Sequence, residues 1–229
     1  HPRQVGDDDG IWGFLSGRCG LSPQQVRAHK IVTEISRTDT TKRKDVLIRA
    51  FAQVRWRVPD SLLLVSVDDN QPDLAVELRG LIRDLGIQDD VAVVGSVWDW
   101  LPRLYAVTSV YCSPSVMEGF GMSAQEAAAT EVPVVASHLV PFVTGYLLGS
   151  DPGQVSLGGG RKPLQVGSGA IVVPADDVEG FAVAMEMLLT DDGLRRRMGR
   201  GALQITVPYF TWGNMVTLFM QALGLDPSD

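Results

Sequence analysis

A chain of 229 residues, 45% hydrophobic and 21% charged, can bury one sizeable core or at most two small ones, so one domain with extensions is the expectation. Twenty basic residues against twenty-seven acidic ones give a net charge of −7, which excludes a global field drawing the chain to nucleic acid or to an anionic membrane. No apolar run approaches the ~20 residues needed for a membrane span, and the opening HPRQVGDDDG has neither a basic n-region nor an apolar core, so a cytoplasmic chain is expected.

Residues 1–29 are rich in Gly, Asp, Gln and Arg, show no sustained period, and read as leader or interdomain linker. KIVTEIS, from Lys30, predicts a first strand, and the segment after it places Leu47, Ala50, Phe51 and Val54 on one helical face. SLLLVSV, 61–67, is a second strand. Leu74, Leu78, Leu81 and Leu85 mark a helix that Gly86 would end, before a third strand in DDVAVVGSV. A helix near 99–107 leads to a fourth strand, SVYCSPS, and an alanine-rich helix separates it from a fifth, VPVVAS.

These strands are apolar at successive positions instead of alternating, the pattern of a parallel sheet covered on both faces. The fold class is therefore α/β with a doubly wound parallel sheet, over 30–207. Between 137 and 169 an apolar patch gives way to a glycine-rich tract, which reads as a long loop. GAIVVP resumes as a sixth strand, followed by a helix marked by Val178, Phe181, Met185 and Leu189 and by an Arg-rich helix near 192–204. A last helix in 208–229 carries Trp212, Met215, Val216, Phe219, Met220 and Leu223 on one side, a broad apolar face suited to self-association or to pairing with another domain.

Cys19 and Cys112 offer no disulfide framework, and His1, His29 and His138 are too scattered for a metal-ligand spacing. No cofactor and no protein-bound metal are expected. The chemistry concentrates instead in VMEGFGMSAQEAAATEVPVV, 116–135. In an open parallel sheet ligands collect at the carboxyl ends of the strands, where loops enter helix N-termini. Gly119 and Gly121 would let the backbone turn tightly there, and Met122 to Ala124 would offer N–H groups suited to a diphosphate.

Glu118 and Glu126, eight apart, would lie roughly 80° apart on a continuous helix and could face one cleft. On residue types alone, Ser123 and Glu126 fit an S-x-x-E capping box, and Glu118 fits a solvated loop acid. In SRTDTTKRKD, Arg37 and Lys42 could reach the same cleft and neutralise phosphate charge. Lys42, Arg43 and Lys44 are adjacent, and composition does not say which one points inward.

Arg37 with Lys42 five residues later, then EGFGMSAQEAAATEVPVVAS, resembles the C-terminal, Rossmann-like nucleotide-sugar-binding domain of the retaining GT-B-fold glycosyltransferases of group 1. The match runs from about Lys30 to about Val173 and continues more weakly to PYFTW near Trp212. Within the family the Arg-to-Lys loop, the long 137–169 segment and PYFTW faintly resemble sucrose-phosphate and trehalose synthases, which makes glucose the preferred sugar.

The resemblance implies that Arg37 and Lys42 hold the diphosphate of a UDP-, ADP- or GDP-hexose and stabilise the departing nucleotide. It also implies that Glu118 contacts donor-sugar hydroxyls, that the Phe120, Gly121, Met122 and Ser123 segment meets sugar and phosphate, and that Glu126 accepts hydrogen bonds from the ribose. Gly95, Ser96 and Val97 would pass close to the base. An N-terminal acceptor-binding domain is the implied partner. Three departures stand out: Glu131 in place of glycine, VSVDDN without glycines after the second strand, and SHLVPFV in place of a glycine pair after the fifth. The alternatives are a nucleotide-sugar 2-epimerase and a non-catalytic nucleotide-sugar-binding module.

Overall fold

The computed structural model describes residues 5–225; His1 and the outer ends of the 1–29 and 208–229 segments lie outside them. One sheet contains β1 (Lys30–Glu34), β2 (Ser61–Ser66), β3 (Val91–Val94), β4 (Thr108–Ser113), β5 (Val134–Ser137), β6 (Gly153–Val155), β7 (Leu164–Val166) and β8 (Ala170–Val173). Their order is β3-β2-β1-β4-β5-β8-β7-β6. The six strands from β3 to β8 in that order run parallel, as expected, and β7 and β6 add an antiparallel hairpin at the edge of β8. The direction of winding reverses between β1 and β4, the point at which an open α/β sheet generally holds its ligand, in a crevice above the carboxyl ends of the strands.

Apolar residues at adjacent positions bury on opposite faces. Val32, Leu63, Val65, Val110 and Cys112 pack under α3 (Lys44–Arg57), α4 (Pro72–Asp84) and α7 (Val178–Thr190). Ile31, Leu62, Leu64 and Ala92 face the other way, toward α1 (Gly10–Ser16), α2 (Pro23–Ala28) and α5 (Leu101–Val107). On that second face, toward β5 and β8, lie α6 (Met122–Ala128) and part of α8 (Asp192–Tyr209). The last helix is α9 (Trp212–Ala222).

Two segments hold more structure than their sequence suggests. Within 1–29, Ile11, Leu15 and Val26 are fully buried against the sheet, each stabilising the fold by roughly 1.5–3 kcal/mol. At seven and six residues α1 and α2 are too short for a period to show, and packing rather than propensity holds them. A local signal in the segment is the start of α2, where Ser22-Pro23-Gln24-Gln25 forms a reciprocal capping box with proline in the first turn. Within 137–169, a π-helical turn at Val143–Leu147 buries its two end residues, and β6 pairs with β7, so the expected sixth strand is β8.

Glu131 sits in the turn before β5, at the amino end of the sheet, with φ 66. A left-handed conformation costs an L-residue about 1 kcal/mol that glycine avoids. α8 packs so closely on this turn that a Cβ at Gly199 would lie 2.2 Å from the Glu131 carbonyl oxygen. Glu131→Gly should therefore raise stability by about 1 kcal/mol. The check is urea denaturation, where the midpoint rises at unchanged slope.

Candidate functional site

The loop between β1 and α3 sends its three consecutive cations in three directions. Lys42 Nζ reaches Glu118 Oε1 at 2.6 Å, with the two side chains 12% and 19% exposed. Arg43, left-handed at φ 50, turns back to pair with Asp45 and Asp176. Lys44 points into the core and pairs with Glu34 at 2.6 Å. Only the first of these reaches the crevice. The sharp turn at Arg43 is what separates neighbours that look equivalent in the sequence.

Arg37 lies exposed in the same loop and has no ion-pair partner among the described residues. Both it and Lys42 act on Asp39: the Thr41 hydroxyl and N–H hold that carboxyl below its usual range, and the two cations add in the same direction. Asp39 in turn caps the short 3-10 turn Thr40–Lys42. The Thr41 carbonyl accepts from Val116 N–H at 2.8 Å and from the Ser115 hydroxyl at 3.1 Å, which staples the β1 loop to the β4 loop beside Glu118.

The Gly-Phe-Gly break positions the start of α6. Gly121 is the N-cap, at φ 106, and a Cβ there would stand 2.7 Å from Val140 Cγ1, so glycine is required twice over. Gly119 meets nothing within 4 Å, and its backbone makes no such demand. The Phe120 carbonyl accepts from Phe142 N–H at 2.8 Å, and the Phe120 ring packs with Phe142, Tyr146 and Phe210. Because Gly121 is the cap, the Ser123–Glu126 capping box does not form. Because α6 starts at Met122, Glu118 lies in the loop and the 80° helical relation does not apply.

Glu126 instead accepts from the Tyr105 hydroxyl at 2.9 Å. Burial, helped by Tyr111 and Glu126, pushes the Tyr105 phenol far above its ordinary value, so Tyr105 remains a donor. The Tyr111 hydroxyl donates to the Ile35 carbonyl at 3.1 Å, tying β4 to the end of β1. Neither tyrosine stands out in the sequence. An aromatic spaced six residues from another on two separate elements has no local signature.

Gly95 and Ser96 are exposed after β3, while the Val97 side chain is buried beside Ile11 and Leu15, which leaves only its backbone to a ligand. From β3 to β4 is three inter-strand steps, about 14 Å in all. The structure thus sets Lys42 and Glu118 in contact, with Arg37 in the same loop. Glu126 and the β3 loop are placed along the same edge without touching that pair. A cleft of about 1150 Å³ lies between α6, α8 and α9, next to Phe120. Its lining is mostly apolar, and Phe120, Met122 and Glu126, all expected to meet the donor, form part of it.

A family model described as "Glycosyl transferases group 1" matches residues 23–204. The chain belongs to this family. Among group 1 relatives, the D-inositol 3-phosphate glycosyltransferase of Salinispora arenicola is 30% identical over 227 residues, covering 96% of this chain and 46% of that protein. The Anabaena Alr3699/HepE structure, in complex with UDP-glucose, superimposes with a TM-score of 0.71 at 20% identity, over 89% of this chain and 53% of that one.

The C-terminal domain of the group 1 protein LpcC from Francisella tularensis matches with a TM-score of 0.68 at 17% identity, over 91% of this chain and 96% of that one. At such identities the structural likeness shows the fold, which is the Rossmann-like half of a GT-B glycosyltransferase. The chain spans about half the length of the curated relatives it matches. No helix among the described residues is long and apolar enough to cross a membrane.

Proposed function

We propose that this chain is the donor-binding half of a glycosyltransferase that takes a hexose, glucose by preference, from a nucleoside-diphosphate sugar and transfers it with retention of configuration. The observation that carries the reading is the Lys42–Glu118 contact, made across the switch point of the sheet by two loops that are far apart in sequence. Group 1 membership and the structural likeness to a protein solved with UDP-glucose support it.

In this reading Arg37 and Lys42 stabilise charge on the leaving diphosphate, and the first N–H groups of α6, presented by Phe120, Gly121, Met122 and Ser123, add to them. The arriving diphosphate draws Lys42 away from Glu118, which frees the carboxylate for the hydroxyls of the donor sugar. Glu126, held by Tyr105, takes the ribose hydroxyls, and the Gly95–Ser96–Val97 backbone passes the base. Glu131 plays no part: it lies at the opposite end of the sheet, and its effect is on stability. The exposed residues of α9, Trp212, Val216 and Phe219 among them, suit packing on an N-terminal acceptor-binding domain or on a second copy.

The test is calorimetric titration of the folded chain with UDP, ADP and GDP. Binding of at least one nucleotide well below millimolar concentration is expected. No heat from any of the three at millimolar concentration, with the fold verified by circular dichroism, overturns the proposal.

A further inference from the structure

Beneath the loop that carries Arg37 and Lys42, Glu34 and Lys44 form an ion pair closed to solvent, their side chains 3% and 1% exposed. All three ammonium donors have acceptors: Glu34 Oε2 at 2.6 Å, the Ser66 hydroxyl at 3.0 Å and the Ser36 carbonyl at 3.1 Å. The other Glu34 oxygen accepts from the Ser36 hydroxyl. Ser66 closes the network, donating to the Ser36 carbonyl at 2.6 Å and accepting from Ser36 N–H at 2.9 Å. The N–H, hydroxyl and carbonyl of Ser36, the residue just before Arg37, are thus all engaged.

Stability does not explain such a pair. Desolvating two charges costs about as much as their attraction returns, and apolar side chains of equal volume usually serve a core as well. The surroundings are apolar: Glu34 shares its sheet face with Val32, and Val65 and Cys112 line the same side. What the pair adds is direction, because its bonds beyond the pair itself run to Ser36 or to Ser66, which in turn holds Ser36. A second tie follows at once: Asp68 N–H donates to the buried Thr38 hydroxyl at 2.8 Å, so Arg37 stands between two anchored residues.

We infer that Glu34 and Lys44 are positioning residues, whose buried pair fixes the β1–α3 loop in the conformation that presents Arg37 and Lys42 to the diphosphate. This rests on the donor-site reading above. The informative variant is Glu34→Gln with Lys44→Met, which removes both charges at once and leaves no orphan ion in the core. It should melt within a few degrees of wild type, yet the amides of 36–42 should exchange about tenfold faster. UDP affinity should fall about tenfold, with uridine affinity, measured by NMR titration, unchanged. A purely structural pair would not separate the two ligands.

Ser36→Ala keeps the ion pair and removes one of its links to the loop. It should shift exchange and UDP affinity in the same direction by about threefold, and it decides the matter if the double variant fails to fold. Loop exchange and UDP affinity at wild-type levels in a folded variant would overturn the inference. Wild-type protein that binds neither UDP nor uridine would refute the donor-site reading instead, and loop exchange alone would then decide this one.

Discussion

Replacing Lys42 by alanine should weaken UDP binding about a hundredfold while the protein stays folded. A charge-assisted hydrogen bond contributes about 1.5–3 kcal/mol, and two decades of affinity correspond to about 2.8 kcal/mol. Lys42 carries more than its own bond, because its removal leaves the Glu118 carboxylate, 19% exposed, facing the incoming diphosphate with no counter-charge. Both effects act in the same direction. The cost to folding should fall between the ~1 kcal/mol of an exposed pair and the ~3–5 kcal/mol of a fully buried one, since both side chains are largely but not wholly buried. Titration calorimetry with UDP reads the first quantity and thermal melting the second. A loss of less than threefold would remove Lys42 from the diphosphate site.

Glu118→Gln should move two ligands in opposite directions. With the carboxylate gone, the Lys42 ammonium no longer has to leave a partner at 2.6 Å, and UDP should bind a few-fold tighter. UDP-glucose should lose whatever advantage it holds over UDP, because the amide cannot accept hydrogen bonds from sugar hydroxyls as a carboxylate does. Misfolding cannot produce that pattern, since it would weaken both ligands together. Parallel calorimetric titrations of UDP and UDP-glucose make the comparison. Equal losses for both would show Glu118 serving only to hold the loop.

Much of the architecture was legible because the physics was local. β2, β3, β5 and β8 carry unbroken apolar runs, and both faces of the sheet are covered, so hydrophobicity alone marks them. Gly86 ends α4 in the left-handed conformation that its position implied. The hairpin of β6 and β7 escaped notice because three-residue strands at a sheet edge, with Gly153 and two glutamines among their six residues, carry almost no apolar signal. α1 and α2 escaped because each contributes only one or two residues to the core.

At the site, what could be read was residue type and what could not was direction. Arg37, Lys42 and Glu118 stand out as charges near strand ends, and the meeting of Lys42 with Glu118 depends on the alignment of two loops 76 residues apart. Lys44 was one of three adjacent cations that composition could not tell apart, and Glu34 carried no mark beyond its place at the end of the first strand. Their burial follows from the left-handed turn at Arg43, which swings α3 over the sheet and carries Lys44 inward. The role of Glu126 shifted in the same way: the cap belongs to Gly121, and the glutamate is free to meet Tyr105 from a separate helix.

The most direct measurement is a crystal structure of the protein with UDP-glucose. It should show the diphosphate within hydrogen-bonding distance of Lys42 Nζ and the first N–H groups of α6, with Lys42 and Glu118 drawn apart and Glu118 on the sugar. UDP-glucose lying elsewhere, with the Lys42–Glu118 contact still closed at 2.6 Å, would contradict the assignment of this crevice as the donor site.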